Sequence, residues 1–380
     1  MKTIYLDHAA ATPMDPLVLE GMMPYFTERF YNPSATYLPA IAVRKDLDAA
    51  RQRIALLLGA RSTEIIFTAG ATEANNLVIR GVLEAYPNSN IVVSSIEHES
   101  VLKPAQSYGC TEIPVTFQGV VDTEKLQELI DDQTVLVSVM YANNEIGTIQ
   151  PIHQVASLLQ EVLDKRRKNG NDLPLYLHTD AAQAPAYLDL HVSRLGVDFM
   201  TLNGSKVYGP KQAGVLFADS RARFKPQVLG GGQERGLRAG TENVAGAIGL
   251  ARALELVQKR RGTETERLRK LQNLFFKLIE ERLPQALING SRKHRLPNNM
   301  HISLPGQDNE RLLIELDEAG ILAAAGSACS ASKEEPSHVL RAMGISNADA
   351  QSSLRFSMGR ETDEAAVRKT IDVLSSIVAR

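Results

Sequence analysis

Short runs rich in β-branched residues alternate with longer amphipathic stretches through the first 240 residues, and this alternation constrains the fold more than any other property of the chain. Strands separated by helix-length connections cannot pair as tight hairpins. They run parallel, with helices covering the sheet. The expected strands are Glu64–Thr68, Ile91–Ser95, Val135–Met140, Leu175–His178, Phe199–Thr201 and Gly214–Phe217. Thr72 is expected near the N-cap of a helix that runs to Leu83, and Pro151 opens another that ends near Gly170. After about Thr241 the pattern changes. A long helical stretch over 242–283 carries Leu250, Leu254, Leu268, Leu271 and Leu274. Beyond it come a strand at Met300–Leu304, a helix at 309–319, a strand near 321–324, a helix around Val339, a strand at Leu354–Ser357 and a final helix. The expected architecture is α/β, with a large domain over 16–260. A smaller α+β domain combines 1–15 with 261–380.

Composition narrows the function. A chain of 380 residues with net charge −2 has no electrostatic basis for direct nucleic-acid binding. No apolar run approaches the ~20 residues that span a bilayer, and the first residues lack the apolar stretch of a signal peptide. Two cysteines, Cys110 and Cys329, exclude a disulfide scaffold and lead us to expect a reducing cytoplasm. Cys-x-x-Cys and His-Glu-x-x-His spacings are absent, so no metal site is expected.

In open parallel sheets ligands gather beyond the carboxyl ends of the strands. Thr72, His98, Asn144, Asp180, Gln183 and Lys206 occupy such positions. An acid and a lysine on neighbouring strand ends suit pyridoxal phosphate, which needs a Schiff-base amine and a partner for its ring nitrogen. Gly70-Ala-Thr-Glu-Ala-Asn-Asn76 can aim backbone N–H groups and a hydroxyl at a phosphate. His98 can move protons near neutral pH. Cys329 leaves a short apolar run for a Gly, Ser, Ala, Lys and Glu segment, where a thiol is expected to be accessible and mobile. Taken singly, each has an ordinary alternative: a surface ion pair, a helix cap, a satisfied histidine, an inert thiol.

Together the motifs resemble a known family. Gly70–Asn76, Asn143-Asn-Glu-Ile-Gly147, Asp180-Ala-Ala-Gln183, Lys206-Val-Tyr-Gly-Pro-Lys211, Gly230–Gly236, Arg238-Ala-Gly-Thr-Glu-Asn243, Gly326-Ser-Ala-Cys-Ser330 and Ser353–Arg360 occur in the order seen in cysteine desulfurases. These are fold-type I pyridoxal-phosphate enzymes of aminotransferase class V. The polar segment after Cys329 is similar to that of their long-catalytic-loop group. The resemblance implies a mostly parallel seven-stranded sheet flanked by helices, a homodimer, and conversion of L-cysteine to L-alanine through a cofactor ketimine. It implies Lys206 as the Schiff-base lysine, Asp180 on the ring nitrogen, Gln183 on the ring hydroxyl and His98 stacked on the ring. Ala71, Thr72, Asn203 and Ser205 are implied at the cofactor, with Thr72 at its phosphate and Thr241 reaching the phosphate in the partner subunit. Asn144 and Arg355 are implied on the substrate. Cys329 is implied as the acceptor that becomes a persulfide and passes sulfur to an iron–sulfur scaffold or a tRNA-thiolation enzyme. The chain departs from the family at Asn203 and Ser205, where serine and histidine are usual, and at Ala11 and Tyr37. Two competing readings share the scaffold: a selenocysteine lyase or other class V lyase, and a non-catalytic binding protein.

Overall fold

A computed structural model describes residues 3–326 and 336–380. Seven strands form the main sheet, in the order Ile65–Thr68, Gly214–Ala218, Phe199–Asn203, Tyr176–Asp180, Thr134–Ser138, Asn90–Ser94, Thr111–Ile113. Neighbours are parallel except around Gly214–Ala218, which is antiparallel to both of its partners. Alternate residues of one strand point to opposite faces, and here both faces are apolar. Val92, Val137 and Val215 enter one core cluster, while Ile91, Leu136 and Leu216 enter the other. Helix Ala71–Ala85 covers the second face, and Leu38–Leu58 covers the first together with the start of a long helix. Leu38–Leu58 was not anticipated. Four of its eight buried positions are Ala40, Ala50, Ala55 and Arg51, which blur the apolar stripe that sequence periodicity relies on.

The long helix, Val244–Arg282, is unbroken over 39 residues, about 58 Å at 1.5 Å per residue. Leu250, Leu254 and Val257 belong to the core of the large sheet, whereas Leu268, Leu271, Phe275 and Ile279 belong to a separate cluster. That second cluster packs on an antiparallel sheet of Ser353–Ser357, Asn299–Ser303 and Leu287–Ile288. The N-terminal strand Ile4–Tyr5 pairs in parallel with Ile321–Leu322, and Leu6 enters the second cluster. Residues beyond Leu6 cross to the large sheet: the Thr12 backbone N–H donates to Ser205 O, and Thr12 Oγ1 accepts from the Tyr208 backbone N–H. Among the described residues no helix is long and apolar enough to cross a membrane.

One close contact holds the strand–helix turn at Gly70. Its φ of 128° is open to glycine alone, and it serves as N-cap without a side-chain bond, so the helix starts at Ala71 and Thr72 lies inside the first turn rather than at the cap. Gly214 on the adjacent strand packs against it so tightly that a Cβ there would lie 2.6 Å from Gly70 Cα. Glu97, between a strand and the next helix, is fully buried. Its Oε1 accepts the Met140 backbone N–H, while Oε2 has no partner among the described residues. Burial pushes its carboxyl well above the ordinary range, and the nearby Asp180 charge adds to this.

Gly214→Ala is expected to destabilise the protein by about 1–3 kcal/mol through overpacking, read by denaturant unfolding. Glu97 binds its proton in the native state at pH values where the unfolded chain has lost it. Its contribution to stability therefore falls as pH rises above the ordinary glutamate range. Glu97→Gln should remove that loss, so the stability gap between variant and parent should widen in the variant's favour from about pH 4.5 upward. A gap independent of pH would show that Glu97 ionises normally.

Candidate functional site

The carboxyl ends of the central strands open into a cavity of about 220 Å³. Ala71, Thr72, His98, Asn144, Asp180, Gln183, Asn203, Lys206 and Arg355 all line it, so nine positions scattered over 285 residues of sequence share one wall. Ser205 and Thr241 are not among the lining residues. Ser205 sits next to the cavity with its Oγ 3.3 Å from Asn203 Oδ1, and Thr241 is exposed just before the long helix. Cys329 lies outside the described residues.

Asp180 ends strand Tyr176–Asp180 and is only 6% exposed. Its Oδ1 accepts the Ala182 backbone N–H at 2.9 Å, and its Oδ2 accepts Asn75 Nδ2 at 2.8 Å. His178 is pushed down to about 4 by burial, so it is neutral near pH 7; its ring nitrogens lie 2.8 Å from Ser138 Oγ and 3.1 Å from Thr201 Oγ1. Gln183 donates to Ala9 O at 3.0 Å, and Lys206 donates to Ala10 O from the short turn Gly204–Lys206 after strand Phe199–Asn203. Asn203 caps that turn: its Oδ1 accepts the Ser205 backbone N–H at 3.2 Å, which leaves its NH₂ as the donor facing the cavity.

Opposite stands the first turn of helix Ala71–Ala85, whose leading N–H groups have no acceptor within the helix. Glu73 would oppose an anion there, but it is engaged elsewhere. It accepts the Ala69 backbone N–H at 2.9 Å and pairs with Arg238 at 2.7 Å.

Arg355 reaches in from the smaller sheet, 1% exposed. Its Nη2 pairs with Asp7 at 2.6 Å, its Nη1 donates to Asn144 O at 3.2 Å, and its Nε has no hydrogen-bond partner among the described residues. A buried guanidinium with an unspent N–H is poised for a carboxylate. Asn144 is held by a clamp between the two units. Leu296 N donates to Gly147 O, Asn299 Nδ2 donates to Glu145 O, and a Cβ at Gly147 would meet the Asn299 side chain at 2.6 Å.

Sequence reading missed the role of Asn75, although it lies inside the quoted Gly70–Asn76 motif, and missed Ser100 entirely. A buried polar residue on a helix carries no local signal of what it bonds. The Ala9 and Ala10 carbonyls were equally invisible, because any residue type supplies a carbonyl. The donor set fits pyridoxal phosphate. A helix N-terminus with Thr72 and Asn203 suits its phosphate, the Asp180 carboxylate its ring nitrogen, the Gln183 amide its hydroxyl and the Lys206 amine its aldehyde.

Known proteins similar to this chain point to one family. The profile of the aminotransferase class-V family matches residues 4–369. The cysteine desulfurase IscS of Dictyoglomus turgidum is 39% identical over 386 aligned residues, covering 100% of this chain and 95% of the relative. A solved NifS-like protein superposes with a TM-score of 0.90 at 31% identity, covering 99% of each chain. A structure described as SspA in complex with cysteine superposes with a TM-score of 0.79 at 33% identity, over 94% of this chain and 99% of that one. The chain belongs to the aminotransferase class-V family, and within it to the pyridoxal-phosphate-dependent cysteine desulfurases.

Proposed function

We propose that this cavity removes sulfur from L-cysteine and that Cys329 takes it up as a persulfide. The observation that carries the reading is the convergence of Lys206, Asp180, His98 and Arg355 on one small, largely buried space. Pyridoxal phosphate, when bound, supplies an electron sink for charge developing at the substrate Cα. Lys206 Nζ anchors the cofactor and then accepts the Cα proton. With pyridoxal phosphate bound, Asp180 would keep the ring nitrogen protonated, Gln183 would donate to the ring hydroxyl, and His98 would lie against the ring and move a proton at its imidazole. Ala71, Thr72, Asn203 and Ser205 hold the phosphate end. Arg355 and Asn144 orient the substrate carboxylate.

The Cys329 thiolate then attacks the substrate sulfur. An S–S bond forms, the substrate Cβ–S bond breaks with its electron pair going to carbon, and protonation of that carbon, followed by return of a proton to Cα, completes L-alanine. Sulfur leaves on Cys329 for an acceptor protein of iron–sulfur cluster assembly or tRNA thiolation. We place this chemistry in the cytoplasm.

The active unit is a homodimer in this reading. Leu19, Phe26, Phe30, Leu38 and Leu229 are all exposed, and a second copy would cover them. Thr241, exposed at the start of the long helix, would then reach the partner's phosphate site. The large unit over 16–260 carries the cofactor, and 1–15 with 261–380 forms the smaller one.

Mass spectrometry of the protein after cysteine addition should find one extra sulfur atom on Cys329. Cys329→Ala should form no persulfide, and sulfur delivery undiminished in that variant would overturn the mechanism. Arg355→Ala should raise KM for cysteine by at least about 10-fold, the worth of a charged hydrogen bond, in steady-state alanine release.

A further inference from the structure

His98 is held through one ring nitrogen. Its Nδ1 accepts the Ser100 backbone N–H at 3.1 Å and lies 2.8 Å from Ser100 Oγ. Ser100 Oγ in turn accepts an N–H of Asn75 Nδ2 at 2.9 Å, and the same NH₂ group donates to Asp180 Oδ2 at 2.8 Å. Asn75 is fully buried, and its Oδ1 has no hydrogen-bond partner among the described residues.

The Asp180 carboxylate decides which way that amide faces. Turned over, Asn75 would set a carbonyl oxygen against the carboxylate and bury an NH₂ group without an acceptor. With Asn75 fixed as donor, Ser100 Oγ receives one hydrogen and has a single proton of its own to give. The acceptor it meets is His98 Nδ1. Two donors thus converge on Nδ1, and a nitrogen in that position cannot carry a hydrogen. The neutral ring bears its hydrogen on Nε2.

We propose that Asn75 and Ser100 are positioning residues that lock His98 in the Nε2–H tautomer and tie its ring to Asp180, so that His98 enters the reaction as a proton donor through Nε2. The inference rests on the reading of His98 as a proton-transfer residue and adds a direction to it. A neutral His98 has no basic nitrogen to offer the cavity, so the first abstraction at carbon falls to Lys206. Donation from the neutral ring leaves an imidazolate, which the two donors on Nδ1 stabilise and which takes a proton back at Nε2 to close the cycle. The relay also links two cofactor-facing groups, His98 and Asp180, that stand on different strand ends.

Side-chain ¹⁵N–¹H correlation spectra of the full-length protein labelled with [¹⁵N]histidine test the lock at about pH 8, above the ordinary histidine range. His98→Gln identifies the His98 signals. The parent protein should show a protonated Nε2 and a bare Nδ1. Ser100→Ala and Asn75→Ala keep the backbone donor to Nδ1 but lose or loosen the hydroxyl donor, so the two nitrogen shifts should move part of the way toward each other as the second tautomer gains population, and Ser100→Thr should restore the parent pattern. The kcat for alanine release should fall about 10-fold in the two alanine variants with KM little changed, against about 10²- to 10⁴-fold for His98→Gln. A hydrogen on Nδ1 in the parent protein overturns the lock, and that spectrum needs no variant to fold. Parent-like shifts in both alanine variants, folded by circular dichroism, overturn the positioning role. Unchanged alanine release in His98→Gln overturns the proton-donor half, leaving the tautomer to be decided by the spectra alone.

Discussion

The site depends on one buried carboxylate. Asp180 lies at the end of a central strand, almost closed to water, and each of its oxygens accepts a hydrogen bond. A carboxylate so placed is tolerated only where donors replace its hydration. Asn75 and the Ala182 N–H do so here. Burial pushes the Glu97 carboxyl well above the ordinary range and keeps His178 neutral near pH 7. Through Asn75 that placement extends to Ser100 and the His98 ring.

A second constraint is the N-terminal segment, which belongs to neither unit alone. Ile4 and Tyr5 extend the smaller unit, Asp7 meets the Arg355 guanidinium, and the Ala9 and Ala10 carbonyls receive Gln183 and Lys206. Further on, Thr12 is bonded to the turn that bears the lysine. Residues contributed by the two units are thereby held at a common distance across the cavity. The clamp at Gly147 and Asn299 repeats the arrangement on the side of Asn144. The long helix contributes residues to both hydrophobic clusters and so joins the two cores.

Much of this was legible in the sequence. Parallel strands buried on both faces read as continuous apolar runs, as Thr134–Ser138 does, and Gly214–Ala218, antiparallel to both neighbours, reads the same way because it too is buried along its whole length. Strand ends are where a parallel sheet meets ligands, which is why Asp180, His98 and Lys206 stood out before any coordinates. Helix Leu38–Leu58 was harder, since alanine and a buried arginine dilute its apolar stripe. The helix expected to begin at Thr72 begins one residue earlier, at Ala71. Thr72 has the chemistry of a cap, but the φ of Gly70 and its contact with Gly214 put the cap at glycine. Arg355, open to reading as a strand-edge surface charge, is buried because the N-terminal segment closes over it.

The sequence by itself determined the strand order's raw material, the motifs of the family and the types of side chain available for the chemistry, because these depend on residue identity and local spacing. Tertiary structure alone decided which polar atoms meet. The pairing of Asn75 with Asp180 spans 105 positions, and that of Asp7 with Arg355 spans 348. No local pattern encodes such contacts, for they arise only when the sheet twists and the smaller unit folds back onto it. The direction of a hydrogen bond, and with it the tautomer of a histidine, is a property of that closed network.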